Sequence, residues 1–220
     1  MTTPLSGPMM PSKSGGAPRQ LMVLLHGYGA DGNDLISLGY QWGELFPDMM
    51  FVSPNGPRPC GMGGPGFEWF PLRVDRIAGR LEGTADARPV IVNFLIDLWA
   101  QTGLTARETV LVGFSQGAMM ALHVGTSLDQ SLAGIVAFSG AFTPAAGFET
   151  GQFAKPPVTL IHGEDDSVVD PGLSREAADV LIAQGFDVRL HLCKGVAHGI
   201  SPGGLDVATA FLQSAFGVKA

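Results

Sequence analysis

The sequence predicts an α/β protein: a mostly parallel central sheet with helices on both faces. Three observations carry that expectation. Short apolar runs alternate along the chain with longer stretches of helical pattern. The 220 residues, 45% of them apolar, are enough for one α/β domain with a sizeable core. Finally, Gly113-Phe114-Ser115-Gln116-Gly117 lies between an apolar, β-branched run (Thr109 to Val112) and an apolar helical stretch (Ala118 to His123). A serine on so sharp a strand-to-helix turn is strained, and its hydroxyl is lifted clear of the sheet at the positive end of the following helix.

Residues 1–20 are rich in Pro, Gly, Ser and Thr and read as a loose lead-in to a single domain spanning 21–220. They lack a basic segment followed by an apolar one, so they do not read as a secretory signal. Leu21 to Leu25 suits a central strand that ends at His26-Gly27-Tyr28-Gly29. Asp31 or Asn33 is placed to cap a helix running toward Phe46. Met50 to Ser53 forms the next strand. Residues 54–89 show little regular pattern beyond a short helix near Arg73 to Leu81. Connections of this length inside a compact domain are usually functional or disordered. A helix over Val90 to Gln101 follows, with Thr105 opening the next turn. After strand 109–112 and helix 116–128, strands are expected at 134–139, 158–161 and 188–192, and helices at 173–184 and 204–216. In such parallel sheets the chemistry gathers beyond the carboxyl ends of the strands.

Composition excludes several roles. The net charge is −7 with only 13 Lys and Arg and no basic cluster, which argues against nucleic acid. No apolar run approaches the length of a transmembrane helix. Cys60 and Cys193, far apart in the chain, point to no disulfide and to a reducing, cytoplasmic setting. Gly61-Met62-Gly63-Gly64-Pro65-Gly66 matches a nucleotide-binding string, but without the flanking strand and helix, and Pro65 has no N–H to offer a phosphate.

A serine hydroxyl needs a base within reach and a third group to orient that base. Five histidines compete. His123 lies eight residues along the helix from Ser115, about 12 Å away. His191 falls inside the last strand, where it packs against the sheet. His26 and His162 each precede a glycine at a strand end, where a ring suits bonding of loop backbone. His198, in the loop Lys194 to Gly199, is the candidate base. The acid comes from a loop between Ser115 and His198, and Glu164, Asp165, Asp166 and Asp170 crowd the obvious one. The spacing there lacks the alternation and glycine of a calcium loop, so no metal is expected. Spacing alone does not choose among the carboxylates.

The order Ser, Asp, His is that of the α/β-hydrolase fold. The stretches Leu25-His26-Gly27-Tyr28-Gly29, Gly113 to Gly117, His162 to Val169 and Gly195-Val196-Ala197-His198 resemble the bacterial phospholipase/carboxylesterase family, which includes acyl-protein thioesterases. The resemblance implies that fold without a large separate cap domain. It places the aspartate on Asp166, with Asp165 in reserve, and an oxyanion hole on the main-chain N–H groups of Tyr28 and Gln116. Backbone donors suit that task because they are fixed before reaction. Tyr28 stands where the family often has leucine. The expected function is a serine carboxylesterase acting on small to medium esters, with no cofactor. Acyl-protein thioesterase or lysophospholipase is the alternative, and a non-catalytic binding protein a remote one. A homodimer is compatible with the sequence, which does not specify it. Phe67, Trp69, Phe70 and Leu72 are too apolar for a solvated loop and are expected to wall the substrate pocket. A satellite core beneath the loop is the competing expectation.

Overall fold

The computed structural model describes residues 5–151 and 153–218. In chain order the elements are β1 (Met9–Met10), β2 (Gln20–Leu25), α1 (Gly32–Ile36), α2 (Leu38–Leu45), β3 (Met49–Val52), β4 (Arg58–Pro59), β5 (Phe67–Glu68) and α3 (Arg76–Thr102). A 3-10 turn at Ala106–Glu108 leads to β6 (Thr109–Phe114), α4 (Gln116–Gly125), β7 (Gly134–Phe138), β8 (Val158–Gly163), α5 (Gly172–Ala183), β9 (Val188–Cys193) and α6 (Pro202–Phe216).

The main sheet has seven strands in the order β1-β3-β2-β6-β7-β8-β9. All its pairings are parallel except the short β1 on β3. The chain builds from β2 to β3 on one side, then crosses to β6 and builds the other way. The loops after β2 and β6 therefore diverge, leaving a crevice at the carboxyl ends of these neighbours.

Strand residues alternate between two cores because successive side chains point to opposite faces. Leu21, Val23, Leu25 and Leu111 pack with Ile91 and Leu95 of α3, Met120 and Val124 of α4, and Leu181 of α5. Met22, Leu24, Val110 and Val112 pack with Leu35 of α1, Trp42 of α2 and Phe211 and Leu212 of α6. Runs that read as uniformly apolar in sequence are the mark of strands buried on both faces.

Two stretches are more ordered than the sequence predicts. The first is the lead-in, whose residues 1–4 lie outside those described. Met9 and Met10 pair with Val52 and Phe51, and the Ser53 and Asn55 N–H groups donate to the carbonyls of Pro8 and Ser6. An edge position tolerates the neighbouring prolines. The second is α3, which begins at Arg76 rather than Val90 and runs through Pro89. Asp75 caps it by accepting from the Ile77 and Ala78 N–H groups. Pro89 and Ala85 are exposed, so the carbonyl that Pro89 leaves without a helical donor faces solvent. Gly83 is the seat of the Phe70 ring, which a Cβ there would overlap. The helix expected from Asp31 toward Phe46 is two helices meeting at Ser37, with Asp31 accepting from Asn33 as its cap.

Two histidines are built into this frame. His26 Nε2 accepts from the Gly56 N–H at 2.8 Å, so its Nδ1 carries the proton and donates to the Gly27 carbonyl at 2.7 Å. His123 Nδ1 lies 2.7 Å from the Thr143 carbonyl. His191, by contrast, is exposed on edge strand β9 rather than packed. Burial pushes both His26 and His123 below the ordinary value of 6.5. Their unfolded forms therefore bind protons that the folded protein refuses. The stability they contribute is complete above about pH 6.5 and is lost as pH falls toward their depressed folded values. The thermal midpoint should drop as pH falls below about 6.5. His123→Asn, which keeps a donor toward Thr143, should flatten that drop. An equal slope in the variant would place the acid sensitivity elsewhere.

Candidate active site

The turn between β6 and α4 holds Ser115 at φ 53°, ψ −115°, one of two non-glycine residues with positive φ among those described. The Ser115 N–H donates to the Phe138 carbonyl of β7 at 2.9 Å, which ties the turn to the neighbouring strand. Gly113 and Gly117 make the turn sterically feasible. A Cβ on Gly117 would overlap the Leu25 carbonyl oxygen, and one on Gly113 would overlap the Gly117 carbonyl.

His198 reaches Ser115 from the β9–α6 loop. Its Nε2 lies 3.0 Å from Ser115 Oγ, and its Nδ1 lies 2.7 Å from Asp166 Oδ2. The Phe114 ring packs against the imidazole, centroids 4.9 Å apart. Asp166 is the buried carboxylate of its loop, while Glu164, Asp165 and Asp170 are exposed. Its Oδ1 accepts from the Val168 and Val169 N–H groups, both at 2.9 Å. Burial pushes the Asp166 carboxyl up, but the His198 hydrogen bond and the two backbone donors outweigh it, so the group sits below the ordinary carboxylate value. An ionised Asp166 facing Nδ1 leaves the other ring nitrogen free to take the Ser115 proton.

Beside Ser115, Gly27 lets the β2 loop approach closely; a Cβ there would stand 3.1 Å from the Phe114 ring. Among the described residues, neither the Tyr28 nor the Gln116 N–H donates to a protein acceptor. Gln116 sits at the first position of α4, where the helix itself offers no partner. Tyr28 borders the cleft, and its phenol is pushed up to about 12 by a hydrogen bond with Cys60, then by burial and Glu68. Cys60 and Cys193 are both free thiols.

The cleft over Ser115 has a volume of about 1060 Å³. Phe70 and Leu72 line it, together with Met119 and Val168. Phe67 and Trp69 do not line it. Phe67 belongs to the β4–β5 hairpin, and its backbone bonds to Gly29 and Ala30. Trp69 is buried, stacks near His26, and donates from Nε1 to the His26 carbonyl at 2.9 Å. For Trp69 the structure contains neither a cleft wall nor a separate satellite core: the indole belongs to the main core that also holds Ile91, Leu95 and Met120. An indole with its N–H satisfied by backbone packs better beneath a loop than facing a wet cleft.

Sequence reasoning missed the Gln116 side chain. Its Oε1 accepts from the Trp69 N–H at 2.8 Å and its Nε2 donates to the Phe70 carbonyl at 2.7 Å. The amide thus fastens the segment bearing Phe70 to the Ser115 turn. Only the amide's double capacity hinted at this, since its partners lie 46 and 47 residues away.

Residues 12–216 match the phospholipase/carboxylesterase family. The chain is 30% identical over 195 residues to esterase YpfH of Escherichia coli strain K12, covering 89% of this chain and 82% of that one. It is 28% identical to acyl-protein thioesterase 1 of Gibberella zeae, covering 87% and 88% of the two chains. The crystal structure of esterase PE8 superposes with a TM-score of 0.93 at 53% identity, covering 96% of this chain and 99% of that one. The architecture is the α/β-hydrolase fold, with no large separate cap.

The buried and exposed members of the aromatic segment should differ sharply in their contribution to stability. Trp69→Ala should cost about 3–5 kcal/mol of unfolding free energy. Leu72→Ala, at a residue 57% exposed, should stay within about 0.5 kcal/mol of wild type. Denaturant titrations of both variants check this, and similar losses would show that Leu72 is packed.

Proposed function

The chain belongs to the phospholipase/carboxylesterase family, and from that premise we propose that it is a serine carboxylesterase that hydrolyses small to medium carboxylic esters through an acyl-enzyme on Ser115. The observation that carries this is the unbroken chain of hydrogen bonds from Ser115 Oγ through His198 to Asp166, at 3.0 and 2.7 Å.

In the proposed reaction Ser115 Oγ attacks the ester carbonyl carbon while His198 Nε2 takes its proton. The carbonyl oxygen becomes an oxyanion held by the unpartnered N–H groups of Tyr28 and Gln116. The intermediate collapses, the C–O bond to the alcohol breaks, and the imidazolium returns its proton to the leaving alkoxide. A water, deprotonated by His198, then attacks the acyl carbon, the bond to Ser115 Oγ breaks, His198 returns the proton to Oγ, and the acid leaves. Asp166 keeps Nδ1 protonated and stabilises the imidazolium. Phe70 and Leu72 contribute apolar wall for the acyl or alcohol group. Tyr28 acts through its main-chain N–H rather than its phenol in this reading, because the backbone donor is fixed before reaction.

A thioester would engage the same groups, and the relative named acyl-protein thioesterase 1 supports that as a second reading. Rates on matched oxygen and sulfur esters of one acyl group separate the two. The central test is Ser115→Ala, which should leave the thermal midpoint near wild type. It should abolish fluorophosphonate labelling and reduce ester turnover to below about 1%. Asp166→Asn should be severe and Asp165→Asn mild. Residual turnover above that level in purified Ser115→Ala would remove Ser115 from the role.

A further inference from the structure

We propose that His162 is a positioning residue for the Ser115–His198–Asp166 chain, a second imidazole that donates to the same oxygen of Asp166 that His198 uses. The proposal rests on the esterase reading above. His162 Nε2 lies 3.1 Å from Asp166 Oδ2 and 3.0 Å from the Val169 carbonyl. A carbonyl only accepts, so Nε2 carries a proton. That proton is shared between the carbonyl and the carboxylate. With Nε2 protonated, the neutral ring's Nδ1 accepts from Ser174 Oγ, 2.7 Å away on α5. The Val169 carbonyl therefore selects the tautomer that points a donor at Asp166, and the Ser174 hydroxyl, which also lies 3.4 Å from the Gly140 carbonyl, completes the bonding of the ring. Both His162 and Asp166 have fully buried side chains, where such a contact is not diluted by water.

Asp166 consequently takes four donors: Val168 and Val169 N–H on Oδ1, and His198 and His162 on Oδ2. Two consequences follow. The carboxylate cannot rotate away from His198 without leaving a buried donor unpaired. In addition, the His162 donor draws charge from Oδ2, so the carboxylate pulls less strongly on the His198 proton. A less basic His198 returns its proton more readily to the leaving alkoxide. The groups that face this centre can be named. Ser115 and the Phe114 ring lie against His198; Ser174 and the Val169 carbonyl lie against His162. Arg76, whose guanidinium donates to the Val168 carbonyl at 3.4 Å, borders the cleft with Asp34, Arg73, Glu164 and Asp170, all exposed, and with half-buried Arg80.

The test compares two substitutions that split the functions of the ring. His162→Gln retains a donor near the Nε2 position, whereas His162→Asn retains polarity only near Nδ1 and loses the donor to Asp166. His162→Asn should lower kcat about tenfold with KM little changed. It should also move the acid limb of the kcat/KM profile upward by about half a pH unit, because the carboxylate then holds the His198 proton more tightly. His162→Gln should recover most of both. Nitrogen-15 NMR of the wild-type imidazoles, which should place the His162 proton on Nε2, is the deciding measurement if His162→Asn does not fold, and a His162 proton on Nδ1 alone overturns the proposal. An unmoved acid limb in a folded donor-deleting variant overturns the proposal, as does a His162→Gln variant no better than His162→Asn. Fluorophosphonate labelling of the wild type separates the failures. A labelled wild type with an unmoved limb sinks only the role of His162, while an unlabelled wild type sinks the esterase reading and this proposal with it.

Discussion

Ser115 is held in a backbone conformation that a residue with a Cβ rarely adopts, and the surrounding structure is arranged to keep it there. Strain of this kind costs of order 1–3 kcal/mol and persists only where neighbours over-determine it. Here β6 is flanked by β2 and β7, the Phe138 carbonyl captures the Ser115 N–H, and two glycines let α4 descend onto the ends of β2 and β6. Because α4 starts at Gln116, the same turn sets the backbone N–H groups of its first turn beside Ser115 Oγ. Relaxing the turn would move the hydroxyl away from His198 and break the 3.0 Å contact. The two-sided core beneath the sheet is thus the source of the geometry at its edge.

A second constraint is electrostatic. Asp166 is a carboxylate without solvent, which is tolerable only because each oxygen is supplied with donors. Two of those donors are backbone groups of the residues that follow it, so its own loop solves much of the burial problem. The other carboxylates of that loop remain in water and keep ordinary surroundings. The loop therefore contains one buried acid among four, and burial, rather than charge, marks it out.

Much of this was legible in the sequence. The strands of the sheet read as short apolar runs because both faces are covered, and the turn at Ser115 reads from glycines whose missing Cβ atoms are a steric necessity. His198 could be separated from the other histidines by its loop position alone. Asp166 could not be separated from its neighbours by spacing, since the difference lies in which side chain turns inward. What escaped depends on contacts between distant residues. Gly79 and Gly83 look like breakers locally, yet they admit Arg73 and Phe70 against α3. The lead-in looks featureless because its partner, β3, lies about forty residues on. Trp69 and Leu72 look alike as apolar loop residues, but His26 claims the indole and leaves the leucine to the cleft.

The division of labour around the cleft follows from these contacts. One wall is made by strand ends and the first turn of α4, which cannot move without disturbing the core. The other is made by the segment around Phe70 to Arg73 and the start of α3, whose apolar residues Leu72, Ile77 and Leu81 are exposed. Gln116 joins the two, since its backbone belongs to the rigid wall and its side chain holds the Trp69 and Phe70 backbone. Trp69 is anchored from below by His26, so this wall is fixed at its root while its rim side chains are exposed. Side chains at that rim can change size without shifting Ser115, because the bonds that fix the rim to the turn are made by main-chain atoms. The fold thus separates the bonds that hold Ser115, His198 and Asp166 in line from the exposed apolar surface at the rim of the cleft.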